Sequence, residues 1–216
     1  MKIKYLGHSC FLFVDDAGNQ VLTDPYKPGA YGGALTYGPI TDSADIIVLS
    51  HEHEDHADFQ SLPNRPLLIR TAARARGIEF DVVETYHDEV EGKKRGNNRV
   101  TCFAMDGIRV CHLGDLGHIL SPEQVQSIGK VDILLIPVGG TFTIGPSEAE
   151  KVVEQINPGI VIPMHYKTEK CGFPIEPVDA FLQGKSGVRR ASSGEVIVHK
   201  EDIPEGCTVL VLPPCN

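Results

Sequence analysis

Residues 45–56 carry the sequence Asp-Ile-Ile-Val-Leu-Ser-His-Glu-His-Glu-Asp-His. Asp45 to Leu49 contain a continuous apolar run without alternation, which predicts a short strand buried on both faces. The segment after this strand is expected to stay extended, so the side chains of His51 and His53 point the same way and can bind one metal ion. The turn that follows lets Asp55 and His56 face a second ion.

A histidine-rich segment has another interpretation, as a solvated polar loop or a helix cap that binds no ligand. Three histidines and an aspartate within six residues, directly after a buried strand, favour metal binding instead. Imidazole nitrogen and carboxylate oxygen are both ligands of Zn²⁺ in proteins. The stretch therefore predicts a metal site at a strand end.

Short apolar runs rich in β-branched residues predict strands along the rest of the chain. They cover Lys2 to Leu6, Phe11 to Val14, Val21 to Thr23, 66–70, 81–86, Val100 to Met105, Ile108 to His112, Ile133 to Pro137, Gly159 to Ile162, Glu195 to Val198 and Thr208 to Leu212. Helices are predicted from the N-cap Ser121 to Gly129, from Pro146 to Ile156, over Glu176 to Leu182 and, briefly, over 56–62. The segments Pro25 to Pro39 and Gly92 to Arg99 lack periodicity and predict loops. Many strands and few helices are typical of two sheets packed face to face with helices outside, an α/β (α+β) sandwich.

The composition limits the classes of function. With 20 Lys and Arg against 29 Asp and Glu, the formal net charge is −9, so the chain as a whole lacks the basic character of a nucleic-acid-binding protein. No apolar run reaches the roughly 18 residues of a membrane span, so no membrane association is expected. The first residues contain no apolar stretch long enough for a signal peptide, so we expect a cytoplasmic protein. A length of 216 residues favours one domain over residues 1–216 and leaves the oligomeric state open.

The pattern His-x-His-x-Asp-His at 51–56 resembles the signature of the metallo-β-lactamase superfamily, where it also follows a buried strand. The resemblance covers nearly the whole chain and implies a single domain built as a four-layer αββα sandwich. It further implies that Asp24 braces the metal loop without binding metal. His87 and His165 would be metal ligands, and Asp115 would bridge two ions. The motifs Gly7-His8-Ser9, Gly114-Asp115 and Pro163-Met164-His165-Tyr166 look most like the ascorbate-6-phosphate lactonase-like group of hydrolases.

The expected ligands divide into two sets of three with one residue between them. The sets are His51, His53 and His87, then Asp55, His56 and His165, with Asp115 bridging. Two divalent ions are therefore expected, with Zn²⁺ as the first choice and manganese or iron as alternatives. Zinc-bound water loses its proton near pH ~7, so a hydroxide held between the ions would attack the substrate. Asp55 would be the catalytic residue that orients this hydroxide and accepts a proton.

Five more residues are candidates for the site or its surroundings. His8 could approach the site and its substrate or serve the structure. His118 could contact substrate or hydrogen-bond a ligand, whereas His112 fits a packed strand position better than a ligand position. Arg95 belongs to Gly92 to Arg99, a run with four cations that is either a solvated turn or, close to His87, a site for a substrate anion. Thr141 could line the cleft through the backbone amides around it.

These residues predict a metal-dependent hydrolase for a small, anionic ester or lactone. A phosphodiesterase of the same fold and a non-enzymatic metal-binding protein are the alternatives. A flavodiiron-type redox protein usually has glutamate where this chain has His53, and a nuclease of the superfamily usually carries an inserted domain for which this chain has no room. The complete ligand set argues against the non-enzymatic alternative.

Overall fold

The computed structural model describes all residues, 1–216, and contains two β-sheets with few helices. The strands are β1 Lys2–Gly7, β2 Cys10–Val14, β3 Gln20–Thr23, β4 Ile46–Val48, β5 Leu67–Ile69, β6 Ala73–Ala75, β7 Ile78–Tyr86, β8 Asn97–Met105, β9 Ile108–His112, β10 Ile133–Pro137, β11 Ile160–Met164, β12 Val188–Arg190, β13 Glu195–Ile197 and β14 Thr208–Val211. The helices are α1 Ala30–Gly33, α2 Pro122–Ile128, α3 Pro146–Ile156 and α4 Val178–Leu182, with 3₁₀ turns at Phe59–Ser61 and Lys200–Asp202.

The first sheet has the strand order β13-β1-β2-β3-β4-β5, and the second has the order β12-β14-β11-β10-β9-β8-β7-β6. Most of the hairpin-linked strands are antiparallel, but β3 and β4 run parallel, as do β9, β10 and β11. Because parallel strands end at the same edge of a sheet, the segments after these five strands gather at two facing edges. That placement is what brings the predicted site residues together.

The sheets pack face to face over a core of 44 buried residues. Alternation along β2 sends Phe11 and Phe13 into this core and leaves Leu12 on the other face. The ring of Phe13 meets that of Phe103 on β8 edge to face at 5.2 Å between centroids, which joins the two sheets directly. Replacing a buried phenylalanine of this kind by alanine lowers the free energy of unfolding by about 3–5 kcal/mol, so these contacts fix the packing of one sheet on the other.

Helices α2, α3 and α4 cover the outer face of the second sheet, as expected from the sequence. The start of α2 is closed by a capping box in which Gln124 N donates to Ser121 Oγ at 3.2 Å and Ser121 N donates to Gln124 Oε1 at 2.9 Å. Pro122 occupies the first turn, where a missing N–H costs nothing. The prediction for this helix is confirmed. The longest helix has 11 residues, and none of the helices has the length and hydropathy of a membrane span.

The outer face of the first sheet is covered mainly by a loop rather than by long helices. Tyr26, Leu35 and Tyr37 from the predicted loop 25–39 pack on it in a second cluster of 15 buried residues, and only the single turn α1 interrupts this segment. Gly7 lies under Tyr37, and a Cβ added at Gly7 would come 2.6 Å from the Tyr37 ring. The αββα arrangement is confirmed, with one helical layer reduced to a loop.

Several element boundaries differ from the predictions. The helix expected over 56–62 is wrong: His56 N donates to His53 O in a turn, Asp58 N donates to Pro25 O, and one 3₁₀ turn follows. The segment 92–99 was expected to be loop, but β8 already begins at Asn97, where it pairs with β7 in a hairpin. Asn98 is buried there and its Nδ2 donates to Thr85 Oγ1 at 2.8 Å and Leu113 O at 2.9 Å. Helix α4 starts two residues later than expected, β7 starts three residues earlier, and the short edge strands β6 and β12 carry no sequence signal of their own.

Candidate metal centre

Strand ends position all of the candidate ligands. Asp24 follows β3 directly, and the loop 51–56 begins three residues beyond the end of β4. His87 follows β7 and His165 follows β11, while Asp115 lies three residues beyond β9. The two sheets thus place residues that are far apart in sequence at one end of the sandwich.

The first group of donor atoms comes from His51, His53 and His87, whose ligand atoms all lie within 4.8 Å of one another. The His51 and His53 rings are 4.5 Å apart, and those of His51 and His87 are 4.9 Å apart. His51 and His87 are buried, whereas His53 is partly exposed at the cleft. This is one of the two sets of three expected from the sequence, brought together by the fold.

The second group contains His8, Asp55, His56 and His165, again within 4.8 Å and all buried. Three of these four were expected as ligands. His8 adds to them: its Nε2 lies 3.1 Å from Asp55 Oδ2, and its ring centroid is 4.2 Å from that of His165. His165 N also donates to His8 O at 2.9 Å, which ties β11 to the segment between β1 and β2.

Asp115 lies between the two groups. Its Oδ2 is 3.2 Å from His56 Nε2, 3.3 Å from His87 Nε2, 3.4 Å from His165 Nε2 and 3.8 Å from His51 Nε2. Two donors that each sit 2.0–2.1 Å from one tetrahedral ion are about 3.3 Å apart, so three of these spacings are compatible with atoms that share an ion. A carboxylate at this position can contact ions in both groups.

Asp24 and Ser50 hold two of the histidines from behind. Asp24 accepts hydrogen bonds from Ser50 N at 2.8 Å, Ser50 Oγ at 2.5 Å and His56 Nδ1 at 2.9 Å. Since the Ser50 hydroxyl proton is used on Asp24, His51 Nδ1 donates to Ser50 Oγ at 2.8 Å. Both imidazoles are thereby held with Nδ1 toward Asp24 or Ser50 and Nε2 toward the donor groups.

Burial and neighbouring charges shift the pKa values of several groups in the cluster. It lowers the pKa of His51 to about 3 and that of His8 to about 4, so both rings are neutral at pH 7. His56 differs: burial lowers its pKa, but Asp115 and Asp55 outweigh burial and raise it above the usual value. For Asp55, His56 and His8 outweigh burial and lower the pKa below its usual range. Asp55 is therefore ionised and His8 and His51 are neutral, whereas His56 has to release a proton when its Nε2 binds a metal ion.

Unpartnered buried atoms show that the cluster fits divalent ions. Eight buried side-chain polar atoms have no hydrogen-bond partner, and seven of them belong to the residues of this cluster. Four of them, His51 Nε2, His56 Nε2, Asp55 Oδ1 and Asp115 Oδ1, lie on residues of the two donor groups or on Asp115 between them. The other three are the Nδ1 atoms of His8, His87 and His165, whose Nε2 atoms lie next to Asp55 or Asp115. A buried polar atom without a partner costs about 1–3 kcal/mol, and such atoms are otherwise rare. A nitrogen and oxygen donor set of this kind suits zinc, and manganese or iron fits it as well.

A cleft opens over the donors, with a volume of about 270 Å³. Its floor is formed by His53, Asp55, His87, Asp115 and His165. Its walls come from Tyr31, Phe142, Phe173 and Arg95, and the three aromatic residues carried no signal in the sequence. A volume at or just below the range of roughly 300–1,000 Å³ typical of ligand sites suits a small molecule.

Comparison with known proteins identifies the family. Residues 2–165 match the β-lactamase superfamily domain. A Thermotoga maritima structure, described as a candidate Zn-dependent hydrolase of the metallo-β-lactamase superfamily, is 37% identical, with a TM-score of 0.80 and coverage of 98% of this chain and 97% of that chain. The chain belongs to the metallo-β-lactamase superfamily.

Relatives within the superfamily carry the UPF0173 name. A UPF0173 protein of Pyrococcus furiosus is 32% identical over 195 residues, covering 82% of this chain and 88% of its own. A UPF0173 metal-dependent hydrolase of Methanospirillum hungatei is 30% identical over 193 residues, covering 78% and 84%. The membership of the superfamily that the sequence predicted is confirmed, while the narrower likeness to the ascorbate-6-phosphate lactonase-like group stays a prediction.

The basic loop of this superfamily member is organised by Asp88, which sequence reasoning missed. The Asp88 carboxylate is buried and accepts hydrogen bonds from the backbone N–H groups of Val90, Gly92, Lys94 and Arg95 at 2.8–2.9 Å. Burial acts to raise the pKa of Asp88, but these four donors lower it to about 2. The loop is thus a built turn, and it directs Arg95 to the rim of the cleft.

Two other predicted contact residues have different surroundings. His118 lies outside the cleft, where its Nε2 accepts a hydrogen bond from Tyr86 N at 3.2 Å and its Nδ1 lies 2.8 Å from Ile119 O. The structure therefore does not bring His118 to the substrate side, because its ring nitrogens contact the backbone of Tyr86 and Ile119. His112 is buried on β9 with Nε2 2.9 Å from Ser9 O, as expected of a packed strand residue.

Backbone strain is concentrated at this site. Nine non-glycine residues have positive φ, and five of them surround the cleft: His8 at 55°, Asp24 at 39°, Tyr31 at 51°, Thr141 at 63° and His165 at 50°. Left-handed backbone costs about 1–2 kcal/mol for an L-residue, and the cost is greatest for a β-branched residue such as Thr141. Such strain is common at functional sites, where the surrounding contacts hold the residue in place.

Proposed function

We propose that the chain is a metal-dependent hydrolase that binds two divalent ions, with zinc as the expected metal, and acts on a small, anionic ester or lactone. The observation that carries the proposal is the pair of donor groups on either side of Asp115, with their buried unpartnered atoms. The hydrolase names of the UPF0173 relatives support it. We also propose that residues 1–216 form one catalytic domain and that the protein acts in the cytoplasm.

The proposed ligands are those of the two donor groups. One ion is assigned to His51, His53 and His87, the other to Asp55, His56 and His165, with Asp115 between them. His8 is proposed to support the second group through Asp55 rather than to bind metal, because its Nε2 already contacts Asp55 Oδ2. Asp24 is proposed as structural support through Ser50 and His56.

In hydrolysis, water adds its oxygen to the acyl carbon, the acyl carbon–oxygen bond breaks, and the leaving oxygen takes a proton. Two bound divalent ions would polarise the scissile carbonyl or phosphoryl oxygen and activate the attacking water. The chain supplies orientation: Asp55 is ionised, His8 Nε2 lies 3.1 Å from its Oδ2, and its carboxylate lies at the floor of the cleft, where it can accept a hydrogen bond from that water. His8 keeps the Asp55 carboxylate from rotating.

Arg95 supports the choice of an anionic substrate. One of its N–H groups donates to Thr141 O at 3.0 Å, and the structure records no other hydrogen bond of its side chain. Four guanidinium donors therefore remain for a ligand at the rim of the cleft. A guanidinium binds carboxylate or phosphate in a bidentate way, and the ions on the floor add to the attraction. Thr141 takes part through its carbonyl oxygen, whereas its amide was the group expected from the sequence.

A substrate screen with metal analysis tests the proposal. The protein loaded with Zn²⁺ or Mn²⁺ is assayed on lactones, carboxylate esters, thioesters, phosphodiesters and phosphomonoesters, and the bound metal is counted by mass spectrometry. Two ions per chain and turnover of anionic esters or lactones are expected. Turnover confined to phosphodiesters would favour the alternative phosphodiesterase, and two bound ions with no turnover of any class would favour a metal-binding protein.

Arg95→Ala separates recognition of charge from structure. Loss of a charge-assisted pair of about 1.5–3 kcal/mol should lower kcat/KM for an anionic substrate by roughly 10- to 100-fold and leave a neutral analogue unchanged. Lys93→Ala is the matched control, because Lys93 belongs to the same basic loop but does not line the cleft. Equal losses on both substrates would show that Arg95 acts through the structure.

A further inference from the structure

Three aromatic rings form one wall of the cleft. Phe173 lies between the others, with its ring centroid 5.5 Å from that of Tyr31 and 5.6 Å from that of Phe142, both edge to face. Its ring also lies 5.7 Å from His8, next to the second donor group. The rings come from three separate loops, so the fold assembles this wall only at the cleft.

These rings are not part of the core. The Tyr31 residue is 49% exposed, although its backbone is held in a strained left-handed conformation. Phe142 and Phe173 are only partly buried, at the edge of the smaller apolar cluster. Three rings that share one solvent-facing wall leave apolar area uncovered, and a ligand with an apolar body would cover it.

Arg95 adds a cation to the same wall. Its guanidinium carbon lies 5.7 Å from the centre of the Phe142 ring, and one N–H is fixed on Thr141 O. The cation is therefore held beside the apolar wall while its other donors stay free. A ligand that touches the rings and the metal floor together would have its anionic group within reach of positive charge.

We propose that this wall is a subsite for an aromatic group, so that the substrate is an aryl or aromatic acyl compound with a negatively charged group beside Arg95 and the metal ions. The inference rests on the proposed function for the metal ions on the floor. The charge on the ligand follows from the cations, and its flat apolar body follows from the three rings. Aliphatic anions of the same charge would fill the floor and leave the wall uncovered.

Calorimetry with two phosphonates tests this proposal without turnover. Phenylphosphonate and methylphosphonate carry the same charged group and differ in the ring alone. On the zinc-loaded protein, phenylphosphonate should bind about tenfold more tightly or better, as expected when a ring gains aromatic contacts. Phe142→Ala and Phe173→Ala should bring this ratio close to one and leave methylphosphonate affinity unchanged.

Phe173→Leu controls for collapse of the cleft in the alanine variants, because leucine keeps an apolar side chain at this position. This variant should still lose most of the preference for phenylphosphonate over methylphosphonate. Phe59→Ala is the matched control, because Phe59 is a partly buried phenylalanine of the same apolar cluster that does not line the cleft. Equal affinity for the two phosphonates in the wild type, no binding of either, or an unchanged ratio in both the Phe142 and Phe173 variants would overturn the proposal. A phenyl preference in a protein that hydrolyses nothing would count against the proposed function alone.

Discussion

Asp24→Asn is predicted to weaken metal binding in both donor groups at once. The carboxylate accepts hydrogen bonds from the backbone N–H and the hydroxyl of Ser50 and from His56 Nδ1, at 2.5 to 2.9 Å. Asparagine has the same shape but one acceptor oxygen, so at least one of these donors would face an amide NH₂. Because Ser50 Oγ also holds His51 Nδ1, the disturbance reaches one histidine in each group.

The expected size follows from these contacts. Hydrogen bonds to a charged group contribute about 1.5–3 kcal/mol each, and loss of the group that orients a metal-binding histidine commonly costs about 10- to 100-fold in metal affinity. The two ranges agree, since 10- to 100-fold corresponds to about 1.4–2.8 kcal/mol. Asp24 is fully buried, so water cannot replace the missing partner. Both dissociation constants should therefore rise by about 10- to 100-fold.

Competition with a chromophoric chelator measures the two zinc dissociation constants, and circular dichroism of the metal-free variants checks the fold. Ser50→Ala is the companion variant: it removes the acceptor for His51 and leaves the bond from His56 to Asp24, so it should weaken one ion much more than the other. Asp45→Asn is the control, because Asp45 precedes β4 at the end remote from the histidines. Two constants within about threefold of the wild type in Asp24→Asn would refute this reasoning.

Three further predictions follow from the site. His53→Ala should leave the fold intact and lower both metal content and activity, because it removes one of three donors from the first group; full metal content by mass spectrometry would contradict that assignment. When free metal is present at about 100 times its dissociation constant, removing it by chelation should lower the melting temperature by about 5–10 °C per bound ion, and added zinc should restore it. An unchanged melting temperature would mean that no ion stabilises the fold. Asp88→Asn should disorder the turn that carries Arg95, because it removes acceptors for the backbone N–H groups of that turn. We therefore expect kcat/KM for anionic substrates to fall toward that of Arg95→Ala while the metal content stays unchanged. Loss of metal would instead show that Asp88 acts through His87.

The sequence allowed the prediction of the fold and of the grouping of donors because both follow from local patterns. A buried strand followed by His51 to His56 is contiguous, and the other expected ligands each come after a recognisable strand. Parallel strand ends then meet at one edge, which is a property of the fold class and needs no side-chain detail. The two sets of three fall together in the structure for this reason.

The remaining features depend on tertiary contacts that no local pattern records. His8 is a lone histidine beside glycine, and its contact with Asp55 bridges 47 positions. Ser50 resembles any polar residue after a strand, although its hydroxyl links Asp24 to His51. The aromatic wall is drawn from three loops without periodicity. The helix expected over 56–62 does not form because two backbone N–H groups of that segment donate elsewhere, from His56 to His53 O and from Asp58 to Pro25 O.

The left-handed residues around the cleft have a consequence for protein engineering. Glycine adopts positive φ freely, so replacing Thr141 or Tyr31 by glycine would relieve strain of about 1–2 kcal/mol at each position. A selection for thermal stability alone would therefore favour glycine at positions that shape the cleft. It would enrich variants that are more stable but have lost part of the wall that contacts the ligand. Libraries built on this scaffold should keep these positions fixed and seek stability in the remote helices, where no such conflict arises.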